Sequence, residues 1–224
     1  MPGSPGTERL GTTGSMRRGP DLREELLLCS AGHRRVAGID EAGRGPWAGP
    51  VCAAAVVLPL SQHDLPTLLS GVRDSKTLSP SRRDALLPRI TDVAETIGVG
   101  WALSGEVDAV GIVTATQRAM KRALARLIGP VDALLIDYVD LSGYHLPQRS
   151  LAKADLKCLS VAAASIVAKV ARDRLMVRLD RAYPGYGFAT HKGYGTQRHA
   201  EALARLGPCP IHRMSWRPLL RAEG

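Results

Sequence analysis

Apolar residues recur along the chain with two different periods, and the changes of period mark out the elements. Val36 to Asp40 is an apolar run closed by an acid, and Val51 to Leu58 is a second run rich in Ala and Val; both read as strands. Between them stand Gly43, Gly45, Pro46, Gly49 and Pro50, a density that forbids a helix. Residues 96–103 (TIGVGWAL) read as a third strand, and Ala133 to Asp137 (ALLID) as a continuous apolar strand of the kind buried on both faces. A fifth strand is expected around Leu146 to Leu151. Helical spacing appears elsewhere. Asp21 caps a short helix carrying Leu22, Leu26 and Leu27 and ending near Gly32. Ser79 and Pro80 form an N-cap and N1 pair that opens a helix with Leu86, Leu87, Ile90 and Val93 at helical spacing. A further helix is predicted from Ile112 to Leu127, stopped by Gly129 and Pro130. The longest is predicted from Leu159 to Arg181, where Ala162, Ala163, Ala164 and Ser165 let it lie close against a sheet. A glycine-rich loop runs from Pro184 to Gly195, and Thr196 caps a last helix to Leu206. This order predicts an α/β fold, a mixed central β-sheet flanked by helices.

Residues 1–20 fall outside this pattern. They are rich in Gly and Pro with scattered Arg and no apolar core, so a disordered tail is expected, with residues 21–224 forming one domain and Met16 an alternative start. The best apolar run, Val51 to Leu58, stops at Pro59, far short of the roughly 20 residues of a membrane span. Cys29, Cys52, Cys158 and Cys209 lie far apart without a C-x-x-C pair, which argues against a disulfide framework or a thiolate zinc site and fits a cytoplasmic protein. Thirty Lys and Arg against 21 Asp and Glu give a net charge of +9 on 224 residues, which points to a polyanionic partner.

Charge matters most where it interrupts the apolar runs. In VAGIDEAGRGPWAG (36–49), Asp40 and Glu41 close a strand side by side. Two carboxylates about 4 Å apart repel by about 4 kcal/mol at an effective dielectric of about 20, so such a pair calls for a cation or a basic side chain. A regular strand would point them to opposite faces, but Gly43 and Gly45 permit a bend that turns both to one site. The alternative is a solvated strand end followed by a turn. The glycines do not make a dinucleotide fingerprint, since the spacing is G-x-G-x-x-x-G and a strand follows. What remains is a loop whose backbone can approach a ligand, with Arg44 as a phosphate or sugar contact, or else a tight hairpin with an exposed arginine. Asp137 ends the ALLID run as Asp40 ends VAGID, and neighbouring strands delivering such acids make hard oxygen ligands for Mg²⁺ or Mn²⁺. Asp140, in a turn with Ser142 and Gly143, reads as solvated. Asp155 reads on spacing as a helix-start carboxylate balanced by Lys153 and Lys157, and Asp173 as a surface ion pair with Lys169.

Taken together, DEAGRGPWAGP (40–50), DSKTLS (74–79), LLID (134–137), KADLKCLSVAAASIVAKVARDRLM (153–176), HKGYGT (191–196) and PIHRMSW (210–216) resemble the successive motifs of bacterial ribonuclease HII, the type 2 ribonuclease H. The resemblance runs from about residue 34 to 218. It implies an RNase H-like fold and an endonuclease that cuts the RNA strand of RNA·DNA hybrids and nicks 5′ of single ribonucleotides in duplex DNA. It further implies two divalent cations, Mg²⁺ or Mn²⁺, products with 3′-hydroxyl and 5′-phosphate ends, a role in ribonucleotide excision and primer removal, and a monomer. By motif, Asp40, Glu41, Asp137 and Asp155 would be the metal-binding and catalytic acids. Gly43, Arg44 and Gly45 would grip the backbone around the 2′-hydroxyl, Tyr194 would pack on the neighbouring sugar, and Lys76 and Ser160 would contact phosphate. Two departures stand out: Tyr138 follows the third acid where the family usually has Gly, and Trp216 replaces the more usual Phe. The competing reading from another class is a non-catalytic basic nucleic-acid-binding protein of the same fold.

Overall fold

The apolar runs become a mixed five-stranded sheet of order β3-β2-β1-β4-β5 in the computed structural model, which describes residues 19–216. The strands are β1 (Val36–Ala42), β2 (Val51–Val57), β3 (Thr96–Ala102), β4 (Ala133–Asp137) and β5 (Gln148–Leu151). The first three form an antiparallel meander, while β4 runs parallel to β1 and β5 parallel to β4. Helices cover both faces, which is why every residue of β2 is buried and the run carries no alternation. The tail expected over residues 1–20 lies, apart from Gly19 and Pro20, outside the described residues.

The helices are α1 (Arg23–Ser30), α2 (Leu65–Leu68), α3 (Pro80–Val93), α4 (Ser104–Leu124), α5 (Leu159–Ala182), α6 (Phe188–His191) and α7 (Gln197–Leu206). On one face α5 and α3 pack Ile166, Val170, Leu86 and Ile90 against Ala54 and Val56. On the other, α4 lays Ala115, Ala119 and Ala123 against Ala53, Ala55 and Val57. The small residues of α5 do bring it close to the sheet: a Cβ on Gly38 would stand 2.4 Å from the Ser160 backbone carbon. The expected caps are present, with Ser79 Oγ accepting from Arg82 N at 3.2 Å and Thr196 Oγ1 from His199 N at 3.2 Å.

Four expectations need correction. In α1, Leu26 and Leu27 are 49% and 48% exposed, and the buried residues are Glu25 and Leu28. Glu25 turns inward because its Oε1 accepts from both the backbone N–H and the hydroxyl of Ser160, at 2.8 and 2.7 Å, and so closes the first turn of α5. Ser160 is therefore fully buried and engaged with Glu25, not placed to contact a phosphate. Helix α4 begins at Ser104 rather than Ile112, because a first helical piece, Ser104 to Val110, precedes a break at Gly111 with φ of 76°. A short helix, α6, also lies inside the stretch expected to be loop.

Candidate active site

The parallel pairing of β1 with β4 assembles the acids. The register runs from Val36↔Ala133 to Ile39↔Ile136, so the next step along both strands sets Asp40 beside Asp137. Asp137 Oδ1 accepts from Ala154 N at 2.7 Å, which draws a 3-10 turn, Ala154–Leu156, under the end of β4 and places Asp155 in the same cluster. Asp155 does lie in the first turn of this short helix, but it is only 4% exposed and faces the other acids.

The electrostatics show how tightly these groups are drawn together. Burial raises Asp40 well above the usual carboxylate range, and the charges of Glu41, Asp137 and Asp155 push it further the same way. Its Oδ1 accepts from Glu41 N at 2.7 Å. Burial also raises Glu41, opposed by the Arg44 guanidinium 3.3 Å from Glu41 Oε1. Asp137 acts on both Asp40 and Glu41, although β1 keeps its regular pairing with β2 through Ala42 and the bend expected at the glycines does not reach the two acids. Asp155 is pushed up to about 6 by burial, then by the charges of Asp74 and Asp137. Lys76 faces the cluster: burial pulls its pKa down, but Asp40, Asp155, Asp74 and Glu41 raise it overall. Asp74 was not singled out in the sequence, where DSK drew attention only to its lysine. Asp140 is exposed and bonded to the Ser150 hydroxyl, apart from the cluster.

The residues fit divalent cations. They are hard oxygen donors, buried and mutually repelling, and Glu41 Oε2 is a buried oxygen without a hydrogen-bond partner. No three His, Cys, Asp or Glu side chains already converge as a complete ligand set among the described residues. Mg²⁺ does not demand one, since it keeps several waters and takes one or two carboxylates together with substrate phosphates.

Beside the acids, two buried arginines hold the glycine loop. Arg172 of α5 donates to the carbonyls of Pro50, Lys192 and Ala48 at 2.9, 3.0 and 3.1 Å. Arg213 donates to Gly49, Arg44 and Gly43 at 3.0, 2.8 and 2.5 Å. Gly43 has φ of 96°, and a Cβ there would stand 2.0 Å from Arg172 Nε, so no other residue fits. With these carbonyls taken, the amides of Gly43, Arg44 and Gly45 find no acceptor among the described residues and form an open row of donors. The 43%-exposed ring of Tyr194 borders this row, with its Cε1 3.8 Å from where a Gly45 Cβ would sit. Lys169 Nζ lies 5.9 Å from the ring centroid. Neither arginine could be picked out by sequence, because both stand in motifs whose other residues carry the charge pattern. Asp173 does pair with Lys169 at 2.7 Å, but it also meets Arg83 at 3.5 Å in a partly buried bridge from α5 to α3.

The departures at Tyr138 and Trp216 keep the site intact. Tyr138 adopts φ of 63°, the left-handed conformation that glycine takes without cost, and its ring points to solvent, 72% exposed. The Arg213 guanidinium carbon lies 5.2 Å from the centroid of the Trp216 ring, so this aromatic backs the arginine that grips the loop.

Comparison with known proteins agrees with this geometry. Residues 37–218 match the family model described as Ribonuclease HII. The chain is 56% identical over 200 residues to the ribonuclease HII of Roseiflexus castenholzii, covering 89% of each protein. It is 51% identical over 203 residues to that of Chloroflexus aurantiacus, covering 91% of this chain and 96% of the relative. Among solved structures, the ribonuclease H2 of Pyrococcus horikoshii superposes with a TM-score of 0.71 at 29% identity, over 84% of this chain and 97% of that one. The acids at the end of β1, the acid brought beside them by β4 and the clamped glycine loop thus sit in an RNase H-like fold, and the chain belongs to the ribonuclease HII family of metal-dependent endoribonucleases.

Proposed function

We propose that residues 21–224 form one catalytic domain, acting as a monomer, that cuts the RNA strand of RNA·DNA hybrids and nicks duplex DNA 5′ of a lone ribonucleotide. The products carry 3′-hydroxyl and 5′-phosphate ends, as ribonucleotide excision and primer removal require. One observation carries this reading: Arg44 belongs to two sites at once, with its side chain on Glu41 in the acid cluster and its backbone in the row of amides beside Tyr194. Cutting and reading are therefore joined through one residue.

In this reading Asp40, Glu41, Asp137 and Asp155 hold Mg²⁺ or Mn²⁺. Two such cations, when bound, supply an activated water and charge stabilisation at the scissile phosphate. Lys76 offsets the carboxylate charge and meets a substrate phosphate. The amides of Gly43 to Gly45 meet the 2′-hydroxyl, which distinguishes RNA from DNA at that position. The Tyr194 ring stacks on the following sugar. A non-catalytic binder of the same fold has no use for buried acids that repel phosphate, and no observation favours it.

The test is a DNA duplex containing one ribonucleotide, incubated with and without Mg²⁺, with the nick mapped. Cleavage 5′ of the ribonucleotide only with the cation is expected. Tyr194→Ala should slow it by about 5-fold to 150-fold, the worth of one stacking contact of about 1 to 3 kcal/mol. Cutting that ignores the ribonucleotide, or an unaltered rate in folded Tyr194→Ala, would overturn the selectivity assigned to this site.

A further inference from the structure

The PIHRMSW motif places His212 and Arg213 side by side, and the two residues reach opposite halves of the ribonucleotide-reading site. Arg213 grips the glycine loop by its carbonyls, and its own N–H donates to Trp47 O at 2.8 Å. His212 points the other way, into a buried aromatic cluster with Tyr186, Phe188 and His199. Its Nε2 lies 3.0 Å from His199 Nε2, and His199 Nδ1 lies 2.9 Å from the backbone carbonyl of Tyr194. Both rings are buried, His199 fully and His212 at 2% exposure.

The bonding pattern fixes every proton in this chain. A carbonyl can only accept, so His199 carries its proton on Nδ1 and donates it to Tyr194 O. A neutral His199 then accepts at Nε2, which requires the proton of His212 to be on its Nε2. His212 Nδ1 is left as an acceptor, and Cys209 N–H donates to it at 2.9 Å; the Cys209 carbonyl is farther from the same nitrogen, at 3.2 Å. Burial lowers the pKa of both rings, which keeps them neutral as the pattern demands. His199 is also wedged between Trp47 of the glycine loop, with ring centroids 5.4 Å apart, and His191, stacked at 4.5 Å.

We infer that His199 and His212 are positioning residues for ribonucleotide selectivity, a buried relay that sets where Tyr194 stands relative to the loop clamped by Arg213. This rests on the role given to Tyr194 above. Without the relay, the Tyr194 carbonyl keeps the local bond from Thr196 N at 2.8 Å but loses its only bond to a side chain of the buried cluster, and the ring no longer meets the sugar at a set distance from the amide row.

The experiment compares His199→Phe with His199→Asn, alone and combined with Tyr194→Ala, on a duplex with one ribonucleotide. Phe keeps an aromatic ring in the cluster but has no donor; Asn keeps a donor near the Nδ1 position and gives up the ring. His199→Phe is expected to cut at least about 5-fold more slowly, the lower end of a lost stacking contact. His199→Asn should recover part of that loss. In the Tyr194→Ala background His199→Phe should add less than about 2-fold, because the ring it positions is already gone. Nitrogen-15 NMR of the wild-type chain should show His199 protonated on Nδ1 and His212 on Nε2, a readout independent of whether any variant folds. A wild-type rate in folded His199→Phe, a loss that multiplies with that of Tyr194→Ala, or the opposite tautomers would each overturn the relay. If Tyr194→Ala alone cuts normally, the selectivity reading falls and takes this inference with it; if only the His199 variants cut normally, the relay alone is wrong.

Discussion

Glu25 and Ser160, separated by 135 residues in sequence, form one hydrogen-bonded unit in which a buried carboxylate oxygen takes both the backbone N–H and the hydroxyl of the serine. The pair ties α1 to the start of α5, whose N-cap residue Cys158 offers no side-chain bond of its own. Burial raises the Glu25 pKa, and the two bonds from Ser160 oppose that rise. Glu25→Ala removes the acceptor and leaves two buried donors unmet, so a loss of about 2 to 4 kcal/mol is expected in urea unfolding. Glu25→Gln, which keeps an acceptor oxygen, should lose less. Equal stability of Glu25→Ala and wild type would show that α5 does not depend on this cap.

The acid cluster should behave oppositely in stability and in activity. Asp40 is disfavoured as a carboxylate by burial and by its neighbours, so Asp40→Asn should melt at the same temperature or higher in EDTA. Its cleavage rate should fall by about 10³-fold or more, corresponding to several kcal/mol of lost transition-state stabilisation. Asp140→Asn serves as the control and should retain most activity, since Asp140 is exposed, its side chain meets only the Ser150 hydroxyl, and its backbone carbonyl accepts from Gln117 Nε2 at 2.8 Å. Normal turnover by Asp40→Asn, or an inactive Asp140→Asn, would mean that the site uses a different set of acids.

Tyr138 holds a left-handed backbone that costs a non-glycine residue about 1 to 2 kcal/mol. Glycine relieves that strain but adds about 0.4 to 1 kcal/mol of unfolded-state entropy. Tyr138→Gly should therefore leave stability unchanged or raise it by up to about 1.6 kcal/mol. Tyr138→Val should lower it, because a β-branched residue tolerates positive φ least. Thermal melts of the two variants decide the matter, and a drop for Gly with no drop for Val would reject it.

Burial lowers His199 from 6.5 to about 4, and neighbouring His191 and His212 push the same way. The unfolded chain takes up this proton below about pH 6.5 while the folded chain stays neutral until about pH 4, so stability falls as pH drops through that window. Between pH 7 and pH 5 the loss is expected to be about 2 kcal/mol for this residue. His212, also lowered by burial, adds in the same direction. His199→Phe should show a shallower decline over that range in urea midpoints. Parallel pH curves for the two proteins would show that His199 binds its proton equally well folded and unfolded.

Read along the chain alone, the residues already specify the strands, helices α3, α5 and α7, and the acids that end β1 and β4. Those features are local: apolar period sets burial on one face or two, and Ser79, Pro80 and Thr196 satisfy helix ends within a single turn. The motifs likewise marked Asp40, Glu41, Asp137, the glycine loop and Tyr194, because such residues must stand at fixed short distances along the chain. Only tertiary structure decided which face of α1 is buried, since Glu25 turns inward for a partner far away in the sequence. The same holds for Ser160, which a phosphate-contact role would have placed at the surface, and for Asp155, whose spacing pairs it with Lys153 and Lys157 whereas the bond from Ala154 to Asp137 draws it inside. Arg172, Arg213 and the paired histidines carry no local signal at all. Arg172, Arg213 and His199 find their acceptors in carbonyls of the loops around residues 43–50 and 192–194, and long-range packing alone assembles these partners.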